Sequence, residues 1–421
     1  MRRFIKIAIL VLLLLTPIFN IGEVWKFTFG GLTDDAQLYI TTPLWVKLIK
    51  DGVMVLLMAV TGVAALNKFR KSRRIRPIVY AYLPLLLVAL VTAVYTYITN
   101  ENARAKDFEY VIPAGFRWLM PMFLGLFLVD WVDDDTMRQV ALVCCVVFIF
   151  SFGLQIFQAF KGTTFYGRNP LGLAARVPGF FLMPATCGFF TCVTVFLSYF
   201  YLRGSPLRVI VPLLAPVSIF LCASSTALVS FSVMLVLLSF GGKYLKFKLS
   251  LLPLIIILVF FNTEALTGRK DFDEVSGPTR LKHFVESAAN TSFLSNQFGF
   301  GTNAAVLANR EFKTDYNPSV LDSTYASVML NMGWLGAAAH ALLAALVLWL
   351  AWRTKRYDGF MFVVIYSLFG FSQTFTESFP MNFIFGVWMG YFVTQTTGEI
   401  RNKKEEIAVA PVSYFLPDPR I

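Results

Sequence analysis

Histidine is almost missing from this sequence: His283 and His340 are the only two in a chain of 421 residues. Cysteine is scarce as well. Cys144, Cys145, Cys187, Cys192 and Cys222 all fall within apolar stretches, and none has the CxxC or Cys/His spacing of a zinc or redox centre. They read as small core- or lipid-facing residues, and nothing supports a redox or zinc function. Charge is the third shortage. Asp, Glu, Lys and Arg make up 15% of the chain, against roughly 25% in an ordinary soluble domain.

Apolar runs fill the space that charge leaves. The chain is 57% hydrophobic and carries 43 Phe and 8 Trp, a composition that suits a lipid-facing surface with interfacial aromatics. About 20 apolar residues cross a bilayer as a helix. Spans are predicted near 4–22, 43–66, 78–98, 115–132, 140–160, 185–202, 209–223, 225–241, 249–264, 322–352, 359–377 and 380–397. The stretch 209–241 reads either as two short helices meeting at Cys222-Ala223-Ser224-Ser225-Thr226 or as one kinked helix, and the small polar residues favour a turn. Met1-Arg2-Arg3 followed by an apolar run resembles a signal peptide. It lacks a small-x-small cleavage site before Glu23, so it is expected to stay as the first helix. One transmembrane domain over 1–397 is predicted, followed by a polar cytoplasmic tail over 398–421 expected to be disordered.

Basic residues set the orientation. Asn67–Pro77 holds six basic residues and no acid. With Arg2, Arg3, Lys6, Arg353, Lys355 and Arg356 it places both termini on the cytoplasmic side. A net charge of +12 is thus explained by topology and anionic membrane lipid. No nucleic-acid motif is present, and no nucleic-acid partner is expected.

Two outer segments stand out, 161–184 and 262–321. The first contains Lys161, Arg168 and Arg176 and no acidic residue. The second is far longer than an ordinary connection, and loops of that length are functional or disordered. Its aromatic and aliphatic content argues for a folded cap, and Pro278–Glu286 reads as the start of an amphipathic helix. Forked guanidinium groups match phosphate oxygens, so an acid-free outer Arg cluster suits a lipid diphosphate. Helix capping and headgroup binding are the plainer roles for the same residues.

The order of motifs is informative. Arg176-Val177-Pro178-Gly179-Phe180 precedes a span. Ser224-Ser225 sits between two spans. Arg280 comes early in the long loop, and Gly299-Phe300-Gly301 comes later in it. Asp322-Ser323-Thr324-Tyr325 then opens a hydrophobic helix, with Gly333-Trp334-Leu335-Gly336 inside it. In order and spacing this resembles the O-antigen polymerase and ligase superfamily of bacterial envelope enzymes. The likeness covers roughly residues 160–340.

The resemblance implies an all-α, GT-C-like polytopic membrane protein of about 12 transmembrane helices with a large helical periplasmic loop. It implies a glycosyltransferase on the outer face of the bacterial inner membrane. That enzyme moves a glycan from undecaprenyl diphosphate to a sugar hydroxyl of another lipid-linked repeat, without metal or other cofactor. A flippase and a chain-length regulator are the implied partners. Arg176 and Arg280 would meet the departing diphosphate, with Arg168 and Arg269 in reserve. Asp322 is the candidate base for the acceptor hydroxyl, and it is equally a candidate helix N-cap. Tyr325, one helical turn on, would orient substrate, and Glu377, ahead of Pro380, is a second carboxylate.

Two departures bear on the branch. The ligases resemble this pattern with His where this chain has Asp322, and His340 lies too deep in the helix to replace it. Thr226 stands where many relatives carry Arg, which leaves Lys161 or Arg168 to replace that cation. A polymerase is therefore expected first, with a ligase using another acceptor or a lipid-linked oligosaccharide flippase as the alternatives. Charge-poor mid-span regions argue against the flippase.

Overall fold

The computed structural model describes residues 1–30, 44–71, 76–99, 112–162, 177–181, 183–239, 285, 288–289, 291–294, 323–371, 375 and 378–409. Among these the regular structure is entirely helical. The helices are α1 (Arg2–Leu14), α2 (Thr16–Phe19), α3 (Ile21–Gly30), α4 (Leu44–Lys71), α5 (Arg76–Thr99), α6 (Ile112–Phe127), α7 (Asp134–Lys161), α8 (Pro184–Tyr201), α9 (Leu207–Cys222), α10 (Ser225–Ser239), α11 (Thr324–Thr354), α12 (Tyr357–Gly370) and α13 (Met381–Val409). Three of them, α7, α8 and α11, are long and apolar enough to cross a membrane. Shorter apolar helices accompany them in α5, α9, α10 and α12. Apolar helices of this kind are those of a membrane-embedded protein.

Eleven of the twelve expected spans coincide with described helices, and the segment 249–264 lies outside the described residues. The described part of the stretch 209–241, up to Ser239, is two helices. α9 ends at Cys222, and Ala223 turns the chain in the left-handed region at φ 46°, ψ 45°. The first expected span is three consecutive helices, α1 to α3, and they reach Gly30 instead of ending near 22. The last helix continues to Val409, so 398–409, expected as disordered tail, is helical.

Helix ends follow from local sequence. α7 is capped by Asp133, whose carboxylate accepts from the Thr136 N–H at 2.8 Å and the Thr136 hydroxyl at 2.6 Å. Asp134 and Asp135 lie in its first turn and Lys161 in its last, as the helix dipole favours. Gly162 closes it at φ 75°.

The N-terminal helices and α7 run parallel and are tied at both ends. Lys6 pairs with Asp135, and the Arg2 guanidinium donates to the Asp130 carbonyl at 3.0 Å. At the other end Gln158 donates to the Thr28 hydroxyl at 2.9 Å, and Lys161 to the Thr28 carbonyl at 2.7 Å. These contacts define a near end of the bundle, where residue 1 lies, and a far end.

The near end is closed by a polar network. Arg356 holds Asp358 in a fork, 2.7 and 3.1 Å, and donates to the Tyr391 hydroxyl at 3.1 Å. Tyr391 donates to Asp134 at 2.6 Å and Tyr201 to Asp358 at 3.0 Å. The Trp388 indole donates to Tyr201 at 2.8 Å. One network therefore joins α7, α8, α12 and α13. Beneath it Trp388 stacks on Phe362 at 3.6 Å and on Phe392 at 4.8 Å. α13 packs closely on α6 through Gly386 and Gly390. A Cβ on Gly386 would lie 2.8 Å from the Pro121 carbonyl oxygen, and one on Gly390 2.7 Å from Leu128 Cβ.

Candidate functional site

Six of the eight candidate residues, Arg168, Arg176, Arg269, Arg280, Asp322 and Glu377, lie outside the described residues. The described neighbours of Arg176 and Asp322, Val177 and Ser323, and the two candidates that are described, fall at the far end.

Val177, bonded to Arg176, is fully buried. Its N–H donates to the Leu221 carbonyl at 3.0 Å, and its carbonyl accepts from Gln155 at 3.3 Å. Gln158, one turn on along α7, exchanges two hydrogen bonds with the Gly179 backbone, 3.0 and 3.2 Å. The Phe180 N–H donates to the Ser151 hydroxyl at 3.2 Å. Three polar residues on α7 thus satisfy backbone that enters an apolar bundle, where an unpaired amide is costly. Gly179 sits at φ 59°, and a Cβ there would lie 2.3 Å from the Ser151 oxygen. Gln155 also reaches the Cys222 thiol, and Ser218 donates to Gln155 at 2.7 Å, so the segment is tied to the α9–α10 turn.

Ser323, bonded to Asp322, is the N-cap of α11. Its hydroxyl accepts from the Ala326 N–H at 3.4 Å and donates to the Gly370 carbonyl at 3.1 Å. The cap considered for Asp322 therefore belongs to its neighbour. Thr324 accepts from the Phe375 N–H at 3.2 Å. Tyr325 donates to the Ser367 carbonyl at 3.1 Å and packs on Phe371. Lys161 is likewise engaged: beyond its bond to Thr28, its ammonium sits 4.6 Å over the Phe29 ring.

The two anchored segments belong to one end of one core. Gly188 of α8 meets Ala227 and Ser224 of the α9–α10 turn. The next residue, Phe189, stacks on Phe369 of α12 at 4.0 Å. Gly370 then abuts the Tyr325 ring.

α11 is broken within the Gly333–Gly336 motif. Gly333 has φ 66° and ψ −167°, a conformation essentially restricted to glycine. The half before it, from Thr324 to Met332, is almost wholly buried, whereas the half after it has an exposed face. Beside the break lies an apolar cavity of about 250 Å³. Thr324, Tyr325 and Ser367 line its far-end part; Ala337, Ala341 and Ala344 run along α11 below; Phe362 and Met389 lie deeper. Ala337 to Val347 covers ten residues, roughly 15 Å of helix at ~1.5 Å per residue. The space is long and mostly apolar, with Thr324, Tyr325 and Ser367 at the far end and His340 on its wall along α11. Such a shape accepts a hydrocarbon chain in preference to a sugar.

Three charged residues near the far end escaped the sequence reading. Glu23 is buried in α3, and Lys50 and Asp51 of α4 form a 3.5 Å pair. Lys50 also faces the Phe379 ring at 5.2 Å. Charge embedded in apolar helices is the signal that marks them. Among the described residues no three His, Cys, Asp or Glu side chains cluster as metal ligands. No protein-family model matches the chain, and no curated protein matches it in sequence.

Proposed function

We propose that this chain is a membrane glycosyltransferase that polymerises lipid-linked polysaccharide repeat units. It transfers a growing glycan from undecaprenyl diphosphate to a hydroxyl of the next lipid-linked repeat. In this reading the far end of the bundle faces the outside of the bacterial inner membrane, twelve helices cross it, and both termini are cytoplasmic. One observation carries the reading. The residues adjoining Arg176 and Asp322, far apart in sequence, are each hydrogen-bonded into the same end of the bundle, and an apolar cavity opens beside the second.

The chemistry asks for two things. The bond from the anomeric carbon to the diphosphate oxygen breaks, and negative charge grows on the leaving group. Arg176 and Arg280 oppose that charge with forked donors. The acceptor oxygen forms the new bond and gives up its proton, which Asp322 takes. The cavity accommodates lipid while the diphosphate stays at the surface with the arginines.

The test is reconstitution of the full chain in liposomes with a lipid-diphosphate-linked repeat unit, products being resolved by size. A ladder of increasing length from wild type, absent from Arg176→Ala and Arg280→Ala, is expected. Arg280→Lys is also expected to be impaired, because a point charge does not replace the fork. A single transfer to an added acceptor would make the chain a ligase. Movement of intact substrate across the bilayer would make it a flippase.

A further inference from the structure

The exposed stripe of α11 measures the membrane. Trp334 and Trp352 are 44% and 82% exposed and lie 18 residues apart. Eighteen residues are five helical turns, so both indoles leave the same face, separated by roughly 27 Å at ~1.5 Å per residue. Between them the exposed face carries Leu342, Leu348 and Trp349. Two tryptophans bracketing an apolar stripe about as long as a ~30 Å hydrocarbon core mark its two boundaries. Trp334 therefore stands at the boundary on the far end, immediately after the Gly333 break.

A piece of the long loop is seated at that level. The Phe293 carbonyl accepts from the Leu335 N–H at 3.4 Å, which supplies a partner to the newly started half-helix. Phe293 itself is 67% exposed, and the same segment presents Val285 at 55%. Phe293 is thus tied to the residue that follows Trp334, and its ring, like the Trp334 indole, is exposed at the level of that boundary.

We propose that residues 291–294 form a membrane-surface anchor: Phe293 enters the headgroup–acyl boundary of the far-end leaflet together with Trp334, and the partner of this face is the lipid bilayer. The inference goes beyond the proposed chemistry and does not depend on it. It tethers residues 291–294 to the bilayer at the Gly333 break.

Spin labels on Phe293→Cys and Ser292→Cys, in the full chain reconstituted into liposomes, test this. Trp352→Cys serves as the lipid reference and Arg203→Cys as the aqueous one. The five described native thiols are buried, and wild type labelled in parallel gives the background. The Phe293 label is expected to collide with oxygen more than with water-soluble nickel ethylenediamine diacetate, as the Trp352 label does. The Ser292 label is expected to give an oxygen-to-nickel ratio between the two references. A Phe293 label that favours the nickel reagent, as Arg203 does, would overturn the proposal. So would one shielded from both reagents, which would mean that protein covers this face. As a second measurement, the unlabelled Phe293→Cys thiol should react with a membrane-permeant maleimide, which reaches both sides of the bilayer, at least about tenfold more slowly than that of Arg203→Cys, because apolar surroundings suppress the thiolate. Equal rates would refute the anchor.

Discussion

Gly333→Ala offers the sharpest test of the far-end architecture. An alanine there has two options. It can keep φ 66°, ψ −167°, a conformation that costs an L-residue about 1–3 kcal/mol. Or it can straighten α11, gaining ~1 kcal/mol of helix propensity over glycine. Straightening would swing Thr324–Met332 away from its partners. The bonds from Ser323 to Gly370, Phe375 to Thr324 and Tyr325 to Ser367 would be lost, at ~1 kcal/mol each. Three bonds outweigh one propensity gain, so the break is expected to persist under strain, with a net loss of about 2 kcal/mol. The assay is thermal unfolding in detergent, followed by helical ellipticity. Gly153→Ala is the control: that glycine lies within α7 and has nothing within 4 Å of a built Cβ, so alanine should be neutral or stabilising by up to ~1 kcal/mol. If Gly333→Ala unfolds no earlier than Gly153→Ala, the break is not held by its surroundings and the reasoning fails.

Three further outcomes are expected. Arg356→Met strands the Asp358 carboxylate, whose side chain is 7% exposed; removing one partner of such a pair costs about 3–5 kcal/mol. The double change Arg356→Met with Asp358→Leu should recover most of that loss in the same melt, and no recovery would mean that the pair is not the source of the effect. Ser323→Ala should lower the unfolding temperature through loss of a cap worth ~1 kcal/mol, whereas Asp322→Asn should leave it unchanged and abolish the polymer ladder. A polymer ladder from Asp322→Asn would remove its role as base. Asp133 is held below the usual carboxylate range by the hydrogen bond from the Thr136 side chain. A depressed folded-state pKa contributes stability above the unfolded value, and that contribution disappears as pH falls through the folded one. Between about pH 6 and pH 3, wild type should therefore lose more stability than Asp133→Asn, and parallel melting curves would contradict this.

The helices were legible because apolar length is a strong signal and lipid leaves the chain little choice of structure. Even the turn at Ala223 showed, since Ser-Ser-Thr interrupts an otherwise apolar run. Other features were written in the sequence but read past. Gln155 and Gln158 are two polar residues within the apolar stretch 140–160. Their three-residue spacing puts them on one face of α7, where they pair the backbone of Val177–Phe181. Gly386-x-x-x-Gly390 likewise announces the close approach of α13 to α6. Arg356 was counted only as a cytoplasmic charge, although Asp358 two residues later is its forked partner. The extension of α13 to Val409 was missed because polar composition was taken for disorder, and composition reports solubility more directly than backbone state.

The site was legible only at its flanks, and the geometry of those flanks separates function from stability. Each anchor at the far end uses a neighbour of the residue expected to do chemistry: Val177 beside Arg176, Ser323 beside Asp322. The side chains that hold the anchors, Gln155, Gln158, Ser151 and Ser323, are uncharged and committed to backbone groups. Lys161 and Tyr325, the two described candidates, are committed in the same way, to Thr28 and Ser367. To bind a phosphate, Lys161 would have to release a carbonyl and an aromatic face, whereas an arginine brings a fork suited to the ligand. The proposed diphosphate contact therefore rests on Arg176 and Arg280 ahead of Lys161. Replacing either arginine, or Asp322, removes none of the described anchoring bonds, so loss of activity in a variant that melts like wild type would report on the chemistry alone. Loss of activity through Gln158→Leu or Ser323→Ala, by contrast, should come with a lowered melting temperature, because those side chains hold the backbone next to the proposed reactive residues.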